Sequence, residues 1–150
     1  MKKWIAVLAV TAMSIGAFAS EGWETNFEKA SARAKSEGKY MLLDFSGSDW
    51  CGWCIKLDKE VFSKSAFKAY AKENLVLVLL DFPRNKSGQS KELQAQNKML
   101  AEKFGIRGFP TVIILDPSGK PVEKTGYRPG GPEAYVEYLK KAISESKSKK

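Results

Sequence analysis

Two cysteines, Cys51 and Cys54, stand three positions apart with Gly52 and Trp53 between them, and no others occur in the 150 residues. In the first turn of a helix, residues i and i+3 share a face, so two sulfurs at this spacing can meet. The free N–H groups and positive end of a helix stabilise an anion, and the thiolate is the attacking form of cysteine. A helix opening here would therefore activate Cys51. Cys54, one turn inward and less exposed, would attack the resulting mixed disulfide and release a reduced substrate. The other reading is a structural bridge, which an exported protein can carry. A loop of about four residues is worth only about 1.9 kcal/mol of chain entropy, against about 3 for fifteen residues. The pair therefore reads as a redox couple rather than a brace.

The chain contains no histidine. This excludes Cys-His and Ser-His catalysis in their usual forms. A covalent haem site of the Cys-x-x-Cys-His type is excluded as well, because Ile55 follows Cys54. Structural zinc needs about four Cys or His ligands, and this chain has two cysteines alone. No nicotinamide or flavin motif is present, so neither a cofactor nor a metal is expected. Soft sulfur ligands suit Cu(I), which leaves a copper carrier as a lesser alternative, although a third ligand is missing.

The elements that must hold the pair follow from two alternating periodicities. Residues 23–36 carry Phe27, Ala30 and Ala34 at helical spacing, with Gly38 as a stop. Tyr40 to Phe45 is a near-continuous apolar run that suits a strand buried on both faces. A helix is expected from about Cys51 to Lys72, turning Ile55, Leu57, Val61, Phe62, Phe67 and Tyr70 inward, with Ser63-Lys64-Ser65 as a possible break. Leu75 to Leu80 reads as a second buried strand, closed by Asp81-Phe82-Pro83, and residues 84–90 as a polar loop. Gln89 to Phe104 is helical in pattern, with Leu93, Met99, Leu100 and Phe104 as its core side and Gly105 as its stop. Thr111 to Leu115 is a third strand. The turn residues Asp116-Pro117-Ser118-Gly119 send Val122 to Tyr127 back antiparallel. Gly130-Gly131-Pro132 opens a last helix with Tyr135, Val136, Leu139 and Ile143 as its stripe. This order gives an α/β domain with one sheet between helical layers.

Residues 1–19 stand apart. Lys2 and Lys3 precede an almost wholly apolar or small run from Trp4 to Phe18, and Ala17-Phe18-Ala19 has small side chains where a signal peptidase reads. This is the pattern of a secretory signal peptide cleaved before Ser20, leaving residues 20–150 as a single domain with a basic C-terminal tail; an uncleaved membrane anchor is the alternative, although the apolar run falls short of the roughly 20 residues a spanning helix needs. The formal charge is +8, or +6 without Lys2 and Lys3. Lys140, Lys141, Lys147, Lys149 and Lys150 crowd the end, where they suit the negative terminus of a solvated helix; attraction to an anionic membrane surface or acidic partners is the other reading. No aromatic or Gly-rich platform is interleaved with them, so no nucleic-acid partner is expected.

Several motifs resemble the thioredoxin family in order and spacing. They are Asp44-Phe45, Trp50-Cys51-Gly52-Trp53-Cys54, the run Phe104 to Thr111 containing Gly108-Phe109-Pro110, and the hairpin turn at Ser118-Gly119-Lys120. The likeness extends from about Trp23 to Ile143. The finer pattern Gly47-Ser48-Asp49-Trp50-Cys51, with Asp81-Phe82-Pro83 and Gly126-Tyr127-Arg128-Pro129-Gly130-Gly131, looks closer still to periplasmic disulfide reductases of that family. The resemblance implies a thioredoxin fold, with a central mixed sheet flanked by helices. It also implies a thiol–disulfide oxidoreductase that reduces protein disulfides in the bacterial periplasm. A disulfide oxidase or isomerase with the same site is the alternative. Disulfide-containing exported proteins would be substrates, a membrane protein the electron donor, and the mature chain a monomer.

Residue by residue, Asp44 matches the buried aspartate that exchanges protons with the second cysteine. A carboxyl in an apolar strand should hold its proton to near-neutral pH and act as acid or base there. It precedes Cys51 by seven positions, one more than in ordinary thioredoxins. Pro110, with Phe109 before it, matches the cis-proline that presents backbone groups to an extended substrate. Trp50 and Trp53 flank the site at its apolar rim, with a core position as the other reading of either, and with Gly52, Phe109 and Pro110 they make up the expected substrate-binding set. Leu77 stands where thioredoxins place a lysine, and Gly52-Trp53 replaces Gly-Pro. With no histidine between the cysteines and with Asp49 close by, partly offset by Lys56, a reducing couple nearer about −270 mV than about −120 mV is expected.

Overall fold

The computed structural model describes residues 21–149; the expected leader, its cleavage before Ser20, and Lys150 lie outside the described residues. Asn26 fixes where the first helix begins, because its side chain accepts the Lys29 amide and caps α1 (Phe27–Glu37). Trp23 and Glu24, expected within that helix, instead form β1 (Trp23–Glu24) and pair in parallel with Leu77 and Val78. Gly38 closes α1 at φ 64°, the left-handed conformation that glycine adopts without a side-chain clash.

The apolar run becomes β2 (Tyr40–Ser46), buried at every position. It lies at the centre of the sheet, parallel to β3 (Leu75–Asp81) and antiparallel to β4 (Thr111–Leu115). The hairpin strand β5 (Pro121–Thr125) completes the order β1-β3-β2-β4-β5 among the described residues. Asp116 builds the turn before β5: its Oδ1 accepts the backbone N–H groups of Ser118 and Lys120 at 2.9 and 3.1 Å. Pairing ends at Thr125, earlier than the expected Tyr127. Gly126 and Tyr127 thus leave the sheet.

Between β2 and β3 the chain forms α2 (Gly52–Leu57), a π-helical turn (Asp58–Phe62) and α3 (Ser65–Asn74), broken at the expected Ser63-Lys64. Ile55, expected inward, is 50% exposed. Cys54 and Leu57 take the buried face of α2, and Ile55, about 100° further round than Cys54, points out. A like correction applies to α4 (Lys91–Lys103), where Met99 is exposed and Leu100 and Asn97 are buried. Asn97 is satisfied there by donating to the Asp81 carbonyl at 3.0 Å.

Alternation along the central strands divides the core. Leu42, Leu77 and Ile114 face α3 and α5 (Gly131–Ser148), packing on Leu57, Phe62, Phe67, Tyr135 and Leu139. Met41, Leu43, Phe45 and Val78 face α1 and α4 with Ala30, Ala34 and Leu100. Asp44 shares the first of these faces, at the end of β2 where the chain turns toward the cysteines. Among the described residues no helix is long and apolar enough to cross a membrane.

Candidate active site

Cys51 is the N-cap of α2, with extended backbone at φ −89° and ψ 102°. Its Sγ accepts the Cys54 amide at 3.2 Å, the bond a serine or aspartate makes at this position. The sulfur thus occupies the place where a helix start favours negative charge. Cys51 and Cys54 are joined as a disulfide, with Cα atoms 5.2 Å apart. The two residues are almost equally buried, 6% and 5% exposed. The expected difference in exposure is therefore slight in this oxidised form. Their surroundings separate them instead: Cys51 receives the helix amide, while Cys54 lines a cavity with Asp44.

That cavity, of about 250 Å³, is bounded by Asp44, Ser46, Ser48, Cys54 and Asp58, with Trp23 at its side. With one more residue between Asp44 and Cys51 than in ordinary thioredoxins, Asp44 and Cys54 still line the same cavity. Asp44 Oδ1 is buried and without a hydrogen-bond partner among the described residues. Removal from water, reinforced by the charges of Asp58 and Asp81, pushes the Asp44 carboxyl up to about 7. Such a group takes or gives a proton at near-neutral pH.

The loop before Cys51 is tied to the segment after β3. The Asp81 carboxylate accepts the Ser48 amide at 2.9 Å and the Ser48 hydroxyl. Asp49 accepts the Asn85 and Arg84 amides at 3.0 and 2.8 Å, and these bonds hold its carboxyl below the usual range. The Asp49 charge is thereby turned to that segment's backbone. Trp50 donates its indole N–H to the Phe82 carbonyl at 2.8 Å and packs edge-on against Phe109, centroids 5.7 Å apart. It is 39% exposed rather than core, and is anchored at its polar end.

Gly47 makes this arrangement possible. A Cβ there would lie 2.6 Å from Trp50 Nε1 and closer still to the adjoining ring carbon. Gly47→Ala is expected to expel the indole and destabilise the protein by about 1–3 kcal/mol. Urea unfolding reads the loss, with a change in tryptophan emission in the folded state. An unchanged emission and midpoint would show that the loop adjusts instead.

Trp53, between the two cysteines, is 55% exposed. Its ring lies 5.1 Å from that of Tyr127, and Lys56 Nζ stands over both rings at 5.0 and 5.2 Å. The Tyr127 hydroxyl donates to Glu60 at 2.6 Å. Gly52, the first residue of α2, is exposed and leaves open space where a Cβ would stand. The Phe109–Pro110 peptide bond is cis. Gly126 approaches the Pro110 carbonyl so closely that a Cβ would stand 3.0 Å from it. Because Phe45 pairs with Thr111, Phe109 and Pro110 arrive at the same end of the sheet as Asp44 and the segment 50–54 that follows β2. Asp58 and the clamp on Trp53 are additional. Asp58 follows Cys54 by four positions, a helical same-face spacing visible in the sequence.

Residues 27–143 match the family model of the thioredoxin-like domain. The chain is 37% identical over 121 residues to the disulfide bond reductase DsbH of Chlamydia pneumoniae, covering 81% of this chain and 72% of that protein. It is similar to the solved structure of a DsbH oxidoreductase, with a TM-score of 0.79 and 33% identity over 93% of this chain and 95% of that one. A thioredoxin from Thermus thermophilus shares the fold, with a TM-score of 0.61 and 16% identity over 81% of this chain and 85% of that one.

Proposed function

Because this chain belongs to the thioredoxin-like family, we propose that its Cys51–Cys54 pair reduces disulfides of exported proteins in the bacterial periplasm. The enzyme class is thiol–disulfide oxidoreductase. The observation that carries the proposal is the placement of two joined sulfurs at a helix start, with the buried Asp44 carboxyl on the inner sulfur's cavity. The leader pattern over residues 1–19 supports export.

In the reduced form the Cys51 thiolate attacks one sulfur of a substrate disulfide, forming a mixed disulfide and releasing one substrate thiolate. Asp44 takes the Cys54 proton. The Cys54 thiolate then attacks Cys51 Sγ, the second substrate sulfur leaves, and the Cys51–Cys54 bond reforms. Two electrons pass to the substrate, and a membrane protein carrying reducing equivalents restores the dithiol. Trp50, Gly52, Trp53, Phe109 and Pro110 form the surface against which an extended substrate segment lies.

The local charges favour the reducing direction. No histidine lies between the cysteines, Lys56 is held over the Trp53 and Tyr127 rings and 3.9 Å from Glu60, and Asp49 is bonded to loop amides. The Cys51 thiolate gains the helix start, while the nearby cations are engaged elsewhere, Lys56 by aromatic rings and by Glu60, and Arg84 over the Trp50 ring, so the dithiol is not heavily stabilised. Equilibration with glutathione buffers is expected to give a potential near about −270 mV; a value above about −180 mV would make the protein an isomerase or oxidant instead.

A further inference from the structure

Asp58 follows Cys54 on the same helical face and stands where α2 passes into the π-helical turn. It is exposed, while Asp44 and Cys54, which line the same cavity, are buried. Asp44, which lines this cavity, also carries a buried Oδ1 without a hydrogen-bond partner among the described residues. We infer that Asp58 is a positioning residue for the dithiol step: from the solvent side, its carboxylate opposes a second negative charge inside, so that Asp44 takes and keeps the proton Cys54 gives up.

The other groups that act on Asp44 do not serve this purpose. Asp81, at the end of β3, is engaged by the Ser48 amide and hydroxyl. Tyr135, from α5, is buried and kept protonated by desolvation and by the Asp44 charge, and it donates to the Gly126 carbonyl. Burial raises the Asp44 carboxyl most, then the charge of Asp58, then that of Asp81. Leu77 lies on the same sheet face, buried among apolar side chains, so no lysine balances the pair from that position. The proton ledger is simple. Cys54 S–H and the Asp44 carboxylate become the Cys54 thiolate and the Asp44 carboxylic acid, which holds the proton while the Cys51–Cys54 bond reforms.

The inference rests on the dithiol reading of the site, so its test has one arm that does not require turnover. Carbon-13 carboxyl NMR of the oxidised protein should show Asp44 titrating lower in Asp58→Asn than in wild type, by about half a unit to one unit, and unchanged in Asp58→Glu. Salt at about 1 M should shrink the difference, since Asp58 faces solvent. In the second arm, the pH dependence of insulin-disulfide reduction should shift downward by the same amount in Asp58→Asn. It should not shift further when Asp58→Asn is added to Asp44→Asn. An Asp44 titration indifferent to Asp58→Asn would overturn the inference, as would an equal shift in the Asp44→Asn background. A wild-type chain that fails to reduce insulin at any pH would sink the proposed function, while the NMR arm still decides the role of Asp58.

Discussion

Asp44→Asn is expected to make the oxidised protein about 4 kcal/mol more stable at about pH 8, and to leave its stability unchanged below about pH 4. The sign follows from proton counts. Asp44 is raised from 3.8 to about 7, so the native state binds its proton more tightly than the unfolded chain does. As pH climbs between those values, the unfolded chain sheds the proton and the native state keeps it, and stability falls by about 1.4 kcal/mol per unit. Above about 7 the native state holds a buried charge with no hydrogen bond to Oδ1, which is the costly arrangement. Asparagine fits the same space without that titration. Urea unfolding of both oxidised proteins across this range reads the difference directly. A wild-type stability that does not decline through this window would show that Asp44 is not the strained acid described here. The same substitution should slow disulfide reduction, since Asn cannot accept the Cys54 proton. Stability would be gained where catalysis is lost.

The two cysteines should fail in opposite ways. Cys51→Ser is expected to lose insulin reduction by at least about a thousandfold, because the attacking thiolate is gone. Cys54→Ser should keep the first attack and stall afterwards, accumulating protein-sized mixed disulfides that a small dithiol dissolves. The assignment does not rest on accessibility, since the residues are 6% and 5% exposed. It rests on surroundings: the α2 start serves Cys51, whereas the Asp44 cavity serves Cys54. Non-reducing electrophoresis of each variant after incubation with disulfide-containing proteins distinguishes them. Adducts on Cys51→Ser rather than Cys54→Ser would reverse the roles.

Much of this architecture could be read in the chain because its strands carry their own signal. The runs 40–45, 75–80 and 111–115 are apolar enough to require burial on both faces, and each became a central strand. β1 had no such signal. Two residues show no period, and Trp23 and Glu24 are extended only because Leu77 and Val78 lie beside them. Ile55 and Met99 illustrate a different limit. An apolar residue suggests a buried face, but the phase of α2 is set by Cys54 and Leu57, and that of α4 by Leu100 and by Asn97 bonding to β3.

The site was legible where chemistry depends on local spacing, as in Cys51-Gly52-Trp53-Cys54, and less so where it depends on tertiary approach. That Gly47 must lack a side chain becomes evident only when Trp50 is seen folded over it. The shared cavity of Asp44 and Cys54 is likewise a product of how β2 and α2 meet, which counting residues between them could not reveal.

The central claim is that Cys51 and Cys54 hand two electrons to a disulfide in another protein. The most direct measurement mixes the reduced chain with a protein carrying one accessible disulfide, quenches with an alkylating reagent, and weighs both partners. Two thiols should vanish from this chain as two are gained by the other protein, mole for mole, with Cys51 and Cys54 rejoined. Both thiols persisting beside an untouched substrate disulfide, or a Cys51–Cys54 bond that no dithiol opens at the outset, would contradict the account.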